Sequence, residues 1–92
     1  MVELEFSLDP ETGLPHFLDH GVTEEEVRQI LAHPGMLLRG FRKSRLALGQ
    51  TEAGRYLKVI YAPRRHGPGK FVITAYDLSK KERRAYRRQM WR

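Results

Sequence analysis

Residues 44–76 contain three strand-like runs, SRLALGQ (44–50), RYLKVIYA (55–62) and KFVITAY (70–76). A short turn-forming stretch at 52–54 separates the first two runs and has the length of a hairpin connection. A longer basic loop with glycine and proline, residues 63–69, leads to the third run. The segment therefore predicts an antiparallel meander of strands.

The segments before the meander predict a further strand and a short helix. Residues 2–8 alternate apolar and polar side chains with a period of two, which is typical of a strand with one buried face. Residues 14–21 have a proline near their start and a glycine at their end, which indicates a helix of about two turns. Residues 36–43 are a candidate for a fourth strand next to the meander.

The most clearly signalled helix begins at Thr23. Thr23 and Glu26 have the spacing of a capping box, and Val22 and Val27 stand where a hydrophobic staple packs. The helix ends before Pro34, because the residue that precedes a proline avoids the helical region.

The last helix begins at a second capping box, Ser79 with Glu82. Its predicted apolar stripe comprises Ala85, Tyr86, Met90 and Trp91. Arginines occupy the rest of its surface, so the segment predicts a basic amphipathic helix. Trp91 is alternatively an anchor for a partner.

These elements follow the order β-α-α-β-β-β-α, which describes an α+β fold. We expect an antiparallel sheet packed by two N-terminal helices and a basic C-terminal helix. With 92 residues, the chain has the size of a single domain, 1–92.

Charge is strongly segregated along the chain. The 17 lysines and arginines exceed the 11 acidic residues and give a net charge of +6. Residues 1–35 carry a net charge of −7 and residues 36–92 a net charge of +13. Twelve of the 17 cations are arginines, whose planar guanidinium pairs with phosphate in bidentate fashion. The pattern favours a polyanionic partner, although the two segments alternatively face each other in the fold and partly cancel.

Composition also excludes several classes of protein. The absence of cysteine excludes a disulfide framework, a thiolate nucleophile and a zinc ribbon. No apolar run approaches the roughly 18 residues of a membrane-spanning helix, and the first residues lack the pattern of a signal peptide. We therefore expect a cytoplasmic protein with no membrane partner.

Five stretches, read in order, resemble a known family: FSLDP (6–10), DHGVTEEEV (19–27), GRYLKVIY (54–61), VITAY (72–76) and KERRAY (81–86). They are similar to BrnT-type toxins of the RelE/ParE superfamily of bacterial toxin–antitoxin systems, and to a family of uncharacterised small domains. The resemblance implies a RelE/BrnT-like domain and metal-independent cleavage of RNA, free or ribosome-associated. It also implies a cognate antitoxin protein that neutralises the toxin.

Cutting RNA without a metal requires a base, an acid and cations that stabilise the charge on the phosphate. The candidate catalytic residues are His20 or Tyr76 for proton transfer, with Arg55 and Arg83 as phosphate ligands. The candidates for nucleic-acid binding are Arg45, Arg64, Arg65, Arg84, Arg87 and Arg88. Four of these arginines, Arg45, Arg55, Arg64 and Arg83, are expected to converge on one surface. No cofactor and no metal site are expected, because His16 and His20 have no evident third ligand.

Each of these residues also has a structural interpretation. His20 precedes a glycine and is a candidate for helix capping, and Tyr76 is a candidate for a half-buried sheet residue. The chain departs from the toxins at Leu8, where they usually carry an aromatic residue, and at Asp19, where they carry a lysine. The alternatives are therefore a non-catalytic nucleic-acid-binding domain or a basic protein-interaction module, and the sequence leaves enzymatic activity and homo-oligomer formation open.

Overall fold

The fold is built on a five-stranded sheet, as described for residues 3–90 by a computed structural model. The strands are β1 (Leu4–Phe6), β2 (Met36–Arg39), β3 (Arg45–Gln50), β4 (Tyr56–Pro63) and β5 (Lys70–Asp77). The helices are a 3₁₀ helix (His16–His20), α1 (Glu24–Ala32) and α2 (Lys80–Met90). Across residues 3–90, no helix is both long and apolar enough to cross a membrane.

The sheet has the strand order β1-β5-β4-β3-β2. Strands β2 to β5 form the predicted antiparallel meander, and residues 36–39 supply its additional strand. The α+β class is therefore confirmed, but the expectation of a purely antiparallel sheet is wrong, because β1 runs parallel to β5. The alternation in residues 2–8 specifies which face of a strand is buried, and it carries no information on the neighbour or its direction.

The two faces of the sheet carry separate apolar clusters. On one face, the 3₁₀ helix and α1 bury Phe17, Val22, Val27 and Ile30 against the sheet. On the other face, α2 packs Tyr86 against Leu48 and Leu78. The second cluster is smaller, so part of that face remains uncovered beside α2.

Both predicted capping boxes form. The Glu26 backbone N–H donates to Thr23 Oγ1 at 3.2 Å, and the Thr23 N–H donates to Glu26 Oε1 at 3.0 Å. At the start of α2, the corresponding distances between Glu82 and Ser79 are 3.1 and 3.0 Å. The short helix predicted for residues 14–21 is a single 3₁₀ segment instead.

The apolar stripe of α2 is narrower than the sequence predicts. Tyr86 is buried, and burial raises the pKa of its hydroxyl, but Ala85 and Met90 are exposed. Gly35 allows the close approach of Tyr86, since a Cβ at Gly35 would lie 2.1 Å from the tyrosine hydroxyl oxygen. The predicted role of Trp91 falls outside the described residues.

Candidate functional site

The two candidates for proton transfer, His20 and Tyr76, lie against each other. Their ring centroids are 4.3 Å apart, with the planes inclined by 49°. His20 ends the 3₁₀ helix and Tyr76 stands near the end of β5, so two distant stretches of sequence meet here. His20 is exposed and Tyr76 is half-buried, which leaves the pair open to solvent on one side.

The 3₁₀ helix is capped by the backbone of Gly21. Gly21 has a left-handed φ of 71°, and its N–H donates to the carbonyl of Leu18 at 3.0 Å. The αL glycine is the usual means of ending such a turn. The His20 side chain is therefore available for another role.

Lys58 and Glu82 adjoin this pair and were not identified from the sequence. Lys58 stands opposite Tyr76 in the β4–β5 register, and its Nζ lies 5.9 Å from the centre of the Tyr76 ring. The same Nζ donates to Glu82 Oε2 at 2.5 Å. This hydrogen bond, together with that from the Ser79 N–H, lowers the pKa of Glu82 although partial burial opposes the shift. The signal in the sequence was an isolated lysine within the apolar run of β4. It does not show that Lys58 lies beside Tyr76 and Glu82, because those contacts depend on the strand register and on the packing of α2.

Arg55 is held by three partners, two of which directly follow His20 and Tyr76 in the chain. Its guanidinium donates to Asp77 Oδ1 and Oδ2 at 2.9 and 3.0 Å and to Glu26 Oε1 and Oε2 at 3.0 and 3.2 Å. It also donates to the Gly21 carbonyl at 2.8 Å. Arg55 was predicted to bind phosphate, but its guanidinium is already paired with two carboxylates.

The ion pairs shift the titration of all three side chains. The bonds from Arg55 lower the pKa of Asp77, and those to Asp77 and Glu26 raise the pKa of Arg55. Partial burial disfavours the charged form of Glu26, yet hydrogen bonds from Thr23 and Arg55 outweigh it and lower its pKa. Because Gly21 follows His20 and Asp77 follows Tyr76, Arg55 tethers the backbone on both sides of the His20–Tyr76 pair.

The predicted convergence of Arg45, Arg55, Arg64 and Arg83 does not occur. Arg45 pairs with Tyr61 near one end of β4, whereas Arg55 lies just before the other end of that strand. Six residue steps, from Arg55 to Tyr61, separate these positions by about 20 Å. Arg83 is in the first turns of α2.

Arg64 donates hydrogen bonds to two carboxylates and one backbone carbonyl. It donates to Glu5 Oε1 at 3.2 Å, to the Pro68 carbonyl at 3.0 Å and to the carboxylate of Glu3. Arg65 lies nearby with His66 in a separate groove that Glu5 also lines. The acidic N-terminal segment therefore cancels part of the basic charge at Arg55 and Arg64.

The remaining predicted arginines form a cationic stripe on α2. We define the α2 stripe as Lys80, Arg83, Arg84 and Arg87, which line one open cleft of about 380 Å³. The spacing of three, four and seven residues places them on a single face of the helix. All four are exposed, and within residues 3–90 none of them forms an ion pair. Arg88 is also exposed but does not line the cleft.

One group of side chains has the composition of a cation site. Asp9, His16 and Asp19 offer ligand atoms that all lie within 4.8 Å of one another. A backbone bridge between Leu8 and Pro15 brings Asp9 next to His16, a proximity that spacing along the sequence does not show. Carboxylate and imidazole donors suit several divalent metals. His20, considered as a ligand from the sequence, is not part of this group.

Comparison with known proteins identifies the family of the chain. No curated protein matches the sequence. A domain family described as a domain of unknown function (DUF4258) matches residues 16–77, from the 3₁₀ helix to the end of β5. His20, Arg55, Lys58 and Tyr76 lie within this segment, whereas β1 and α2 lie outside it. Because the match spans more than half of the 92 residues, the chain belongs to the DUF4258 family.

Proposed function

We propose that this protein is a toxin-like, metal-independent endoribonuclease with a RelE/BrnT-like fold. The observation that carries the proposal is that the ring centroids of His20 and Tyr76 lie 4.3 Å apart, with Lys58 Nζ 5.9 Å from the centre of the tyrosine ring. Two groups that transfer protons and one cation thus stand together. This is the minimum set for cleaving a phosphodiester without a metal.

In the proposed reaction, the 2′-hydroxyl of RNA attacks the adjacent phosphorus. His20 takes the proton of that hydroxyl, because imidazole is the side chain best suited to proton transfer near neutral pH. The new bond to the 2′-oxygen forms as the bond to the 5′-oxygen breaks, and Tyr76 donates a proton to the departing oxygen. The products are a 2′,3′-cyclic phosphate and a 5′-hydroxyl end. Lys58 stabilises the charge on the phosphate, and a proton passes from His20 back to Tyr76 to complete the cycle.

The α2 stripe supplies the affinity for RNA in this proposal. Its four cations have no protein anion to displace within residues 3–90, so phosphates of a bound strand would release counterions from them. The mixed sheet with a basic C-terminal helix supports the RelE-like assignment. The further parts of the proposal are a cytoplasmic location and an antitoxin that covers the basic surface.

A non-catalytic RNA-binding domain is the second candidate. The observation in its favour is that Arg55 is matched by two carboxylates and Lys58 by Glu82, so the cations nearest His20 and Tyr76 are already paired. A domain of this kind would bind RNA through the α2 stripe and leave it intact.

Incubation of purified protein with single-stranded RNA separates the two candidates. We expect fragments with cyclic phosphate ends, and we expect His20→Gln or Tyr76→Phe to reduce the cleavage rate by about 100-fold or more. His33→Gln is the matched control, because His33 is exposed at the end of α1 and lies outside the pair. Its cleavage rate should equal that of the wild type.

Intact RNA at saturating wild-type protein would refute the ribonuclease and favour the second candidate. Cleavage that His20→Gln and Tyr76→Phe leave unchanged would refute the assigned residues. Inducible expression provides a cellular test, in which the wild type arrests growth and Tyr76→Phe does not.

A further inference from the structure

The turn between β2 and β3 presents an aromatic ring to solvent. Phe41 is 81% exposed, more than any other large apolar residue that the structure describes. Exposure of a whole phenyl ring forgoes the favourable burial that such a side chain normally obtains. The ring is next to Arg42, whose guanidinium carbon lies 5.3 Å from the ring centre.

The backbone of this turn is well fixed. The Gly40 N–H donates to the Ser44 carbonyl at 3.0 Å, and the Ser44 N–H and hydroxyl donate to the Phe41 carbonyl at 3.1 and 2.7 Å. Arg42 has a φ of 60°, a left-handed conformation that among the described residues other than glycine occurs here alone. Glycine or asparagine suits such a position better, so the turn holds Arg42 in a conformation that costs free energy.

An apolar groove adjoins the ring. Its lining residues are Phe41, Arg42, Lys43, Ser44, Ile60, Ala62 and Ile73, and its volume is about 390 Å³. The register of β4 and β5 shifts between Ile60 and Tyr61, which leaves Ile73 without an opposite residue. Irregularities of this kind re-aim side chains beside functional sites. The groove therefore has an apolar floor with cations on its rim.

The rim carries unbalanced positive charge. Arg42 and Lys43 line the groove, and the described part of the chain provides no ion pair to either of them. Arg39 and Arg45 stand opposite each other in the β2–β3 register but on the other face of the sheet, because Arg45 pairs with Tyr61 whereas its neighbour Leu46 pairs with Ile60 of the groove. An anion with an apolar, planar part would satisfy both the rim and the floor.

We propose that this turn binds an unpaired nucleobase of single-stranded RNA, a role that rests on the proposed function. The base stacks on Phe41 above the apolar groove, and the flanking phosphates contact Arg42 and Lys43. Stacking on an exposed aromatic side chain beside cations is the usual mode of binding single strands.

The site lies on the same face of the sheet as Lys58 and Tyr76. Lys58 and Ile60 are two residues apart on β4 and therefore share a face, at a separation of about 7 Å. A strand of RNA at Lys58 would thus reach the groove within a nucleotide or two. The stacked base would belong to a nucleotide close to the cut and would influence which bond is cleaved.

An acidic protein segment fits this surface less well. The exposed leucines of β2, Leu37 and Leu38, point to opposite faces of the sheet, because Leu37 pairs with Ala47 and Leu38 with Leu46. Only Leu38 shares the face of Ile60, through Leu46, so the groove gains one exposed leucine and not the broad apolar core of a protein interface.

Binding of an uncleavable 2′-O-methyl oligonucleotide tests the inference without interference from cleavage. Fluorescence anisotropy compares the intact oligonucleotide with abasic versions that keep every phosphate. We expect Phe41→Ala to weaken binding of the intact strand about tenfold. Binding of a strand that is abasic at the stacked position should not change, and Phe41→Trp should retain wild-type affinity. Leu37→Ala is the matched control and should bind both strands as the wild type does.

The outcomes distinguish this inference from the proposed ribonuclease. If Phe41→Ala binds both strands like the wild type, or loses affinity for both equally, no base stacks on the ring and the inference is overturned. It is also overturned if Phe41→Ala abolishes binding of an acidic apolar peptide and leaves RNA affinity unchanged. Base-dependent binding of this oligonucleotide, with unmodified RNA left intact at saturating protein, would support the inference and refute the ribonuclease. Thermal unfolding checks that the Phe41 variants remain folded.

Discussion

The arginines next to the sheet and those of α2 have the same side chain but different electrostatic surroundings. Arg55 and Arg64 donate to carboxylates that come mainly from the acidic N-terminal segment. The α2 stripe is paired with no carboxylate in residues 3–90. The difference teaches that net charge alone does not locate a binding surface, since paired arginines hold the fold together and unpaired ones remain free to bind an anion.

The α2 stripe gives the largest expected effect. Replacement of its four cations by glutamine should lower RNA affinity at low salt by at least about 100-fold. The slope of log affinity against log salt should fall by about three, because each lost phosphate contact on a single strand contributes roughly 0.7. Binding measured over a series of salt concentrations tests this. An unchanged slope would show that RNA does not bind at the α2 stripe, and would contradict the conclusion that the unpaired arginines form the binding surface.

Arg55 should matter for stability more than for RNA binding. Arg55→Ala leaves Glu26 and Asp77 without their cation and frees the Gly21 carbonyl. We expect a loss of about 1–3 kcal/mol in the free energy of unfolding, measured by urea denaturation. Arg83→Ala is the matched control and should change stability by less than about 0.5 kcal/mol. Equal stability of the two variants would contradict the structural role of Arg55.

The Arg55 cluster should also make stability depend on pH. Glu26 and Asp77 have pKa values below their ordinary values of 4.5 and 3.8. The unfolded chain therefore takes up protons before the folded protein does, and stability falls as the pH drops below about 4.5. The difference between wild type and Arg55→Ala should be full at pH 7 and smaller at pH 3. A difference that stays constant between these two pH values would show that the carboxylates are not held by Arg55.

Arg64 should give the smallest effect. Its partners Glu3 and Glu5 are 67% and 54% exposed, so solvent screens the attraction. Arg64→Ala should cost about 1 kcal/mol or less in unfolding free energy and leave RNA affinity within about twofold. A large loss of RNA affinity would show that Arg64 exchanges its carboxylates for phosphate, as the sequence interpretation supposed.

A residue of the candidate site could be predicted from the sequence only where its own chemistry or its spacing along one helix was sufficient, without knowledge of its neighbours in space. His20 and Tyr76 could be named from side-chain chemistry as candidates for proton transfer, and Arg83, Arg84 and Arg87 could be placed together by their spacing on one helix. Lys58 and Glu82 could not be named, because their positions beside Tyr76 depend on the β4–β5 register and on the packing of α2. Arg55 was identified, but the carboxylates that occupy it are 22 and 29 residues away in the chain.

Local patterns in the sequence by themselves determined the capping boxes at Thr23 and Ser79, the meander and the α+β class. These features depend on contacts within a few residues, or on the alternation of side chains along one strand. Tertiary structure alone decided that β1 lies parallel to β5, that His20 meets Tyr76, and which arginines are neutralised. The reason is physical: strand neighbours and ion pairs form between distant segments whose relative positions are set by how the whole core packs.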